Sequence, residues 1–476
     1  MAFSNDCAEV RVNKLRSEGL RRDRLEELSS RFQNVQASPK EIGGSLALKC
    51  VLWRRTLNSL APVSHLPNEV LLIIFETFVQ LSSEGDHCDL AHPEITISHT
   101  ASHWRNLAVN APSLWTQILL TPRTQHHLEF FETYLRRSAN MLVNVDIRDW
   151  AHTIPVAQSY YECSSADRHV SHTVVDALLP FVHRIRTLNV SKSGTPVLST
   201  LFRVFDTSSS IPSSCSFTAL TTLTIDNRKN DTHIGFRQLL SASPNIITLT
   251  FIGQVFDANE MVTAIELPFL QKLTLNGGSY ANFDCHALKV IDTLSAPSLR
   301  HLELQHLKMY WTEDAVSRVF FTKDASPRFT KVRTLVICDK VSRETEYAGS
   351  LIKAFPLVTH VTLGGSVIGG FASALEELLA LRSGVEIWPY LEALDLTYLP
   401  DSCLLPIHRW LKTRRTRRLS LHVQLHVPVW YCYPAFPRHV KKLQKHVDVR
   451  LEDHNRVTSL FSVEAVDATE SASDSE

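Results

Sequence analysis

Chemistry that depends on spacing is sparse in this chain. His99 and His103 stand four residues apart, one turn of a helix, and Asp86, His87, Cys88, Asp89 and His92 lie just before them. Such a set is rich enough in donors to suggest zinc. The pattern argues against it, because no Glu follows His99 as a metalloprotease helix requires, and the loop donors match no finger spacing. The glycines of 364–370 (GGSVIGG) are not followed by Lys-Ser or Lys-Thr, so a solenoid turn is expected there and not a phosphate loop. No Gly-x-Ser-x-Gly elbow and no His-Glu-x-x-His pair occurs. The sequence therefore points to a non-enzyme with no metal and no cofactor.

The remaining composition narrows the class. The chain has 476 residues, 44% apolar and 21% charged, which is ordinary for several globular units. Its 49 basic and 49 acidic residues leave no net field for a polyanion or a membrane surface, so neither nucleic acid nor membrane is an expected partner. Nine cysteines are scattered singly, and no apolar run approaches the ~18 residues that would cross a bilayer. A cytoplasmic or nuclear setting is expected. The cluster KTRRTRR at 412–418 reads as a solvated edge, with a nuclear address or docking patch as the other reading. The acidic, serine-rich stretch 462–476 reads as disordered.

The elements that organise the chain are helical first. Residues 1–60 carry two amphipathic segments, Leu25, Leu28, Phe32 and Val35 on one and Leu46, Cys50, Trp53, Leu57 and Leu60 on the other, expected as a helical hairpin, with a dimerising coiled coil as the alternative. In LPNEVLLIIF, residues 66–75, Pro67 fits the first helical position and Glu69 faces the positive end of the helix dipole. The six apolar residues Val70 to Phe75 cover the whole circumference of that helix. A segment of about 60 residues cannot bury so much by itself. Ile97, Ala101, Trp104 and Ala108 then recur as one stripe, predicting a single helix that Pro112 ends.

These residues carry a resemblance. LPNEVLLIIF followed by ISHTASHWRNLA (97–108) and APSLW (111–115) is similar to the F-box of the large fungal F-box protein families, over residues 61–120. Leu81 to Glu94 forms a longer polar insertion than a compact F-box carries. The resemblance implies the substrate-receptor subunit of a Skp–cullin–F-box ubiquitin ligase. Leu66, Pro67, Val70, Leu71, Ile74 and Phe75 would then contact a Skp-type adaptor, and through it a cullin, with Trp104 and Trp115 as core anchors. A repeat scaffold that acts outside any ubiquitin ligase is the alternative.

Beyond a linker and cap at 121–180, a motif of the form apolar-x-x-Leu-x-apolar recurs, as in Leu220/Leu223/Ile225, Leu270/Leu273/Leu275, Leu299/Leu302/Leu304 and Leu391/Leu394/Leu396. Pro244, Pro268, Pro297, Pro356 and Pro389 each stand two residues before the first apolar position. Central leucines fall roughly 24 to 35 residues apart, around and beyond the leucine-rich-repeat range. The expected fold is therefore multidomain: an all-α hairpin and F-box followed by an irregular α/β leucine-rich-repeat-like solenoid over 181–461. Strand alternation would place His301, Glu303, His360 and Asp395 on its concave face, as the polar side chains for binding a protein substrate.

Overall fold

The computed structural model describes residues 62–84, 92–120, 127–148, 173–191, 216–227, 236–253, 264–277, 284–307, 312–339, 347–365, 367–380, 387–397, 401–413, 422–427 and 448–453. The expected N-terminal hairpin, the acidic stretch 462–476 and most of the basic cluster lie outside these residues. The chain divides into two compact units, Met1–Val109 and Asn110–Glu476.

In the first unit, α1 (Asn68–Glu84) begins one residue after Pro67, whose carbonyl accepts the Leu71 amide at 3.1 Å. Its last turns use Leu81 to Glu84, the start of the polar insertion. The stripe expected to form one helix is split into α2 (Pro93–Thr100) and α3 (Ser102–Val109) by Ala101, which is extended at φ −147° and ψ 153°. Arg105 bridges the break, donating from Nε to the Ser98 carbonyl at 2.9 Å. The apolar period survives across this corner because Ile97 and Ala108 are both buried on separate helices.

The second unit opens with a 3-10 turn at Pro112–Trp115 and β1 (Gln117–Leu120), then α4 (His127–Arg137) and β2 (Val143–Arg148). The strands β3 (Ile185–Ser191), β4 (Thr222–Asn227) and β5 (Thr248–Gly253) follow. Next come β6 (Ile265–Glu266), β7 (Lys272–Asn276), β8 (Leu294–Ser295) and β9 (His301–Leu307). β10 (Thr334–Asp339), β11 (His360–Gly364), β12 (Ala393–Thr397), β13 (His422–Val427) and β14 (Asp448–Asp453) complete the set. Among the described residues, twelve strands form one sheet in chain order, β6 and β8 are set apart as a small pair, and the neighbours run parallel.

This corrects the expected fold class. The chain carries an α/β fold built on one large parallel sheet, and a leucine-rich-repeat-like solenoid starting at residue 181 is not what the structure shows. The sheet already begins at Gln117, and the segment expected as linker and cap supplies β2 to it. In β1 and β2 the apolar spacing is present but the central leucine is replaced by Ile118 and Val145, so the leucine pattern did not mark them. The helices between strands also range from six residues in α5 (Phe236–Ser241) to fourteen at Val367–Ala380, so no constant unit recurs.

The motif nevertheless has a physical meaning strand by strand. Leu223, Leu249, Leu273, Leu302, Leu335 and Leu394 are all fully or almost fully buried. Each is worth about 1.5–3 kcal/mol relative to exposure. The preceding prolines occupy the second position of tight turns, closed by Leu270 N–H to Leu267 O at 3.1 Å, Leu299 to Ala296 at 3.1 Å and Leu391 to Trp388 at 3.1 Å. Proline's fixed φ suits that position. Each turn aims the chain into its strand.

Helices α6 (Asp284–Thr293), α7 (Glu313–Phe320), α8 (Ala348–Ala354), α9 (Val367–Ala380) and α10 (Asp401–Thr413) pack in succession, and α9 lies on β10 and β11. Aromatic contacts fill this layer: Phe371 stacks on Trp388 at 5.1 Å and meets Trp410 edge-on at 5.8 Å. The strands alternate between buried and partly exposed side chains, as in β5. Parallel sheets are normally covered on both faces. Among the described residues one face stays open here.

Arg184 shows how the start of the sheet is secured. Its guanidinium is buried and donates to the Leu135 carbonyl at 3.2 Å, the Met141 carbonyl at 3.0 Å and the Ser138 hydroxyl at 2.8 Å, closing the C-terminal end of α4. A cation there satisfies carbonyls that the helix leaves unpaired.

Candidate protein-binding surfaces

Two surfaces stand out, one in each unit. On α1 the side chains Leu71, Phe75 and Val79 turn inward at 0%, 2% and 6% exposure, a stripe of one residue every four. Leu72 is half-buried, and the other apolar residues are exposed. Ile73 is 62% exposed, Ile74 45%, Leu81 64%, Val70 39% and Phe78 37%. At 100° per residue they form a second stripe along the helix. Contiguous exposed apolar area of this kind is a feature that interaction sites share.

The expected adaptor-contact residues are thereby sorted. Pro67, Val70 and Ile74 lie at the surface, Leu66 is half-buried, and Leu71 and Phe75 belong to the interior. Ile73, Phe78 and Leu81 join the outer stripe without having been singled out. Their signal was the spacing 70, 74, 78 and 81, which a count of consecutive apolar residues hides. Trp104 is half-buried and packs on Phe75, with ring centroids 5.0 Å apart. Trp115 falls in the second unit, fully buried, with Tyr134 edge-on at 5.0 Å and the Arg137 guanidinium 4.2 Å from its ring centroid. His99 and His103 are exposed on different helices.

The second surface is the open face of the sheet. Register places Thr222, Thr248, Lys272, His301, Thr334, His360 and Ala393 in one row across it. A second row runs through Thr224, Thr250, Thr274, Glu303, Val336, Thr362 and Asp395. All four expected substrate-binding residues lie on these rows. His301 and Glu303 form a pair on β9, whereas His360 on β11 and Asp395 on β12 lie beyond β10 in different rows.

Glu303 is the hub of the first pair. Its carboxylate has His301 Nε2 at 3.3 Å, receives the Thr274 hydroxyl at 3.0 Å and the Gln305 amide, and faces Lys272 Nζ at 3.6 Å. The His301 hydrogen bond holds it below the usual carboxylate range, against the upward push of burial, with Thr274 and Lys272 helping. Asn276 extends the chain by donating to Gln305 at 3.3 Å. Asp395 accepts from Thr362 at 3.4 Å, and His360 Nδ1 meets the Thr359 hydroxyl at 2.9 Å. Thr274, Gln305 and Asn276 were visible in the sequence only as ordinary strand residues, since their role depends on cross-strand register.

The next row along the same face runs through Gln305, Cys338, Gly364 and Thr397. Cys338 on β10 is a free thiol pushed up to about 12 by burial and then by the Glu303 charge. A Cβ at its neighbour Gly364 would lie 2.4 Å from the Thr397 hydroxyl and 3.0 Å from the Cys338 sulfur. Glycine is therefore required there by close approach of three strands. Gly365 carries φ 71° in the turn after β11, and Gly369 and Gly370 fall within α9, so the glycine-rich stretch is a strand-to-helix connection.

No protein-family model and no curated protein sequence matches this chain. Among the described residues no helix is long and apolar enough to cross a membrane, and no group of three or more His, Cys, Asp and Glu side chains is placed to hold a metal ion.

Proposed function

We propose that the chain is the substrate-receptor subunit of a Skp–cullin–F-box ubiquitin ligase. The first unit is the handle that docks on a Skp-type adaptor, and the open sheet face of the second unit receives a protein substrate. The observation that carries this reading is the division of α1 into two apolar stripes. One stripe, Leu71, Phe75 and Val79, is buried, and the other, Val70, Ile73, Ile74, Phe78 and Leu81, is left exposed. An amphipathic helix offering anchors at such spacing fits a groove in a helical partner. The chain then works as a non-catalytic bridge whose two ends bind different proteins.

Affinity purification of the tagged chain tests it. The wild type should bring down a Skp-type adaptor and a cullin, and the variant Ile73→Glu with Ile74→Glu should lose both while remaining folded. Recovery of neither subunit with the wild type sinks the reading and leaves a scaffold that acts outside a ubiquitin ligase.

A further inference from the structure

The N-terminal edge of the sheet adds a row that the strand motif does not reveal. Backbone hydrogen bonds step along it from Gln271 to Arg300, Arg333, Thr359 and Glu392: the Arg300 amide donates to Gln271 O at 2.9 Å, Arg333 to Arg300 O at 2.8 Å and Thr359 to Arg333 O at 2.8 Å. Arg300 and Arg333 are thus direct neighbours on adjacent strands, both exposed. Like charges side by side are destabilising. Lys331, two residues before Arg333, and Lys272, on the next row, are exposed as well. Lys272 has Glu303 as a partner. Among the described residues no carboxylate pairs with Arg300, Lys331 or Arg333, and Arg333 Nη1 donates only to the Leu357 carbonyl at 3.0 Å.

Two large side chains bound this basic centre. Phe269 and Tyr390 each precede the first residue of their strand, β7 and β12, by three positions, and they are 55% and 54% exposed. β7 and β12 lie four strand spacings apart in the sheet. At ~4.8 Å per spacing that is ~19 Å, the length of an extended peptide of about six residues. Glu392 and Asp395 close the β12 end with negative charge, so between Phe269 and Tyr390 the unpaired cations of this row stand at the starts of β9 and β10, while Arg186, on the same row, lies away at β3.

We infer that this edge binds an extended acidic peptide segment of a partner protein, with Arg300, Lys331 and Arg333 meeting its carboxylates and Phe269 and Tyr390 gripping apolar residues at its two ends. An incoming carboxylate relieves the repulsion between the stacked arginines, and two aromatic anchors set the length of the segment. This deepens the reading of the sheet as the substrate surface, and it does not depend on the adaptor.

Fluorescence anisotropy with the full-length chain decides it. The probe is a labelled six-residue peptide with acidic centre and apolar ends. Its counterpart carries Asn and Gln in place of Asp and Glu. The acidic peptide should bind at least about tenfold tighter than the amide peptide. Raising salt from about 0.05 to 0.5 M should erase most of the difference. The variant Arg300→Glu with Arg333→Glu should lose the acidic peptide and keep its circular dichroism spectrum. Equal binding of the two peptides by the wild type overturns the inference whether or not the variant folds, and so does displacement of the acidic peptide by a short oligothymidylate at equal concentration. Adaptor recovery with the same preparations separates the two readings: acidic-peptide binding without an adaptor removes the ligase and keeps this inference, and the converse does the opposite.

Discussion

The ring of Phe75 lies 5.0 Å from that of Trp104, tilted by 60°, an aromatic contact that ties α1 to α3 in the first unit. Phe75 is 2% exposed, so Phe75→Ala should cost about 3–5 kcal/mol. Trp104→Ala should cost less, because the indole is only half-buried. Hydrogen exchange over α1 and α3 measures both, and unchanged protection in Phe75→Ala would contradict the packing.

The outer stripe of α1 should behave oppositely. Ile73→Glu with Ile74→Glu replaces exposed side chains and should change stability by no more than about 0.5 kcal/mol per site, yet abolish adaptor recovery. Leu71→Ala, on the inner stripe, should destabilise by about 2–5 kcal/mol. Equal losses of stability from the two changes, measured by urea unfolding, would mean that the stripes are not distinct.

Trp115→Ala should loosen the second unit and not the first. The indole is fully buried, flanked by Tyr134 and covered by the Arg137 guanidinium, so its removal should cost about 3–5 kcal/mol and leave a cavity beneath a cation. Exchange should rise in β1, β2 and α4. Faster exchange confined to α1 would refute this.

Glu303 sets a pH dependence with a defined sign. Its folded-state value is held below the ordinary one of about 4.3, chiefly by the His301 hydrogen bond. The stabilising contribution of its ionised form is therefore fully present above pH ~4.3 and disappears as pH falls through the depressed value. Wild type should melt above Glu303→Gln at neutral pH, with the gap closing in acid. A gap that widens on acidification would reverse the assignment.

Cys338 should resist alkylation in the folded chain. With its thiol pushed up to about 12, almost no thiolate exists at pH 8, so iodoacetamide labelling mapped by mass spectrometry should find Cys338 unmodified until denaturant is added. Gly364→Ala, which forces a Cβ against Thr397 and Cys338, should destabilise by about 1–3 kcal/mol and speed that labelling. Rapid labelling of the native wild type would show the thiol to be accessible.

How far the sequence speaks depends on what each signal measures. Leu223, Leu273 and Leu302 were legible as inward positions because alternation and burial are local properties. The fold class was not, because β1 and β2 bury Ile118, Leu120, Val145 and Ile147 with no leucine at the central position, and a motif says nothing about where a sheet begins. The helix over Ile97 to Ala108 was misread at Ala101, since a corner between two short helices preserves the apolar period while changing direction. His301, Glu303, His360 and Asp395 could be placed on one face from periodicity alone. The bonds of Thr274 and Gln305 and the packing at Gly364 could not be read that way, because they arise across strands that lie tens of residues apart. The arginine neighbours Arg300 and Arg333 were hidden for the same reason.

The chain order of the sheet has a consequence for how the protein is made. Thr274 and Glu303, which touch across β7 and β9, are 29 residues apart in sequence, short for a chain of 476. Pairing that is local along the chain favours rapid closure, because each new strand finds its partner already formed. During synthesis the second unit can therefore grow by accretion, every strand docking on the edge left by the one before it. Removal of the chain after Thr397 would leave β1 to β11 with all their strand partners and take only β13 from β12, whereas deleting β7 alone would break the hydrogen-bonded path between β5 and β9.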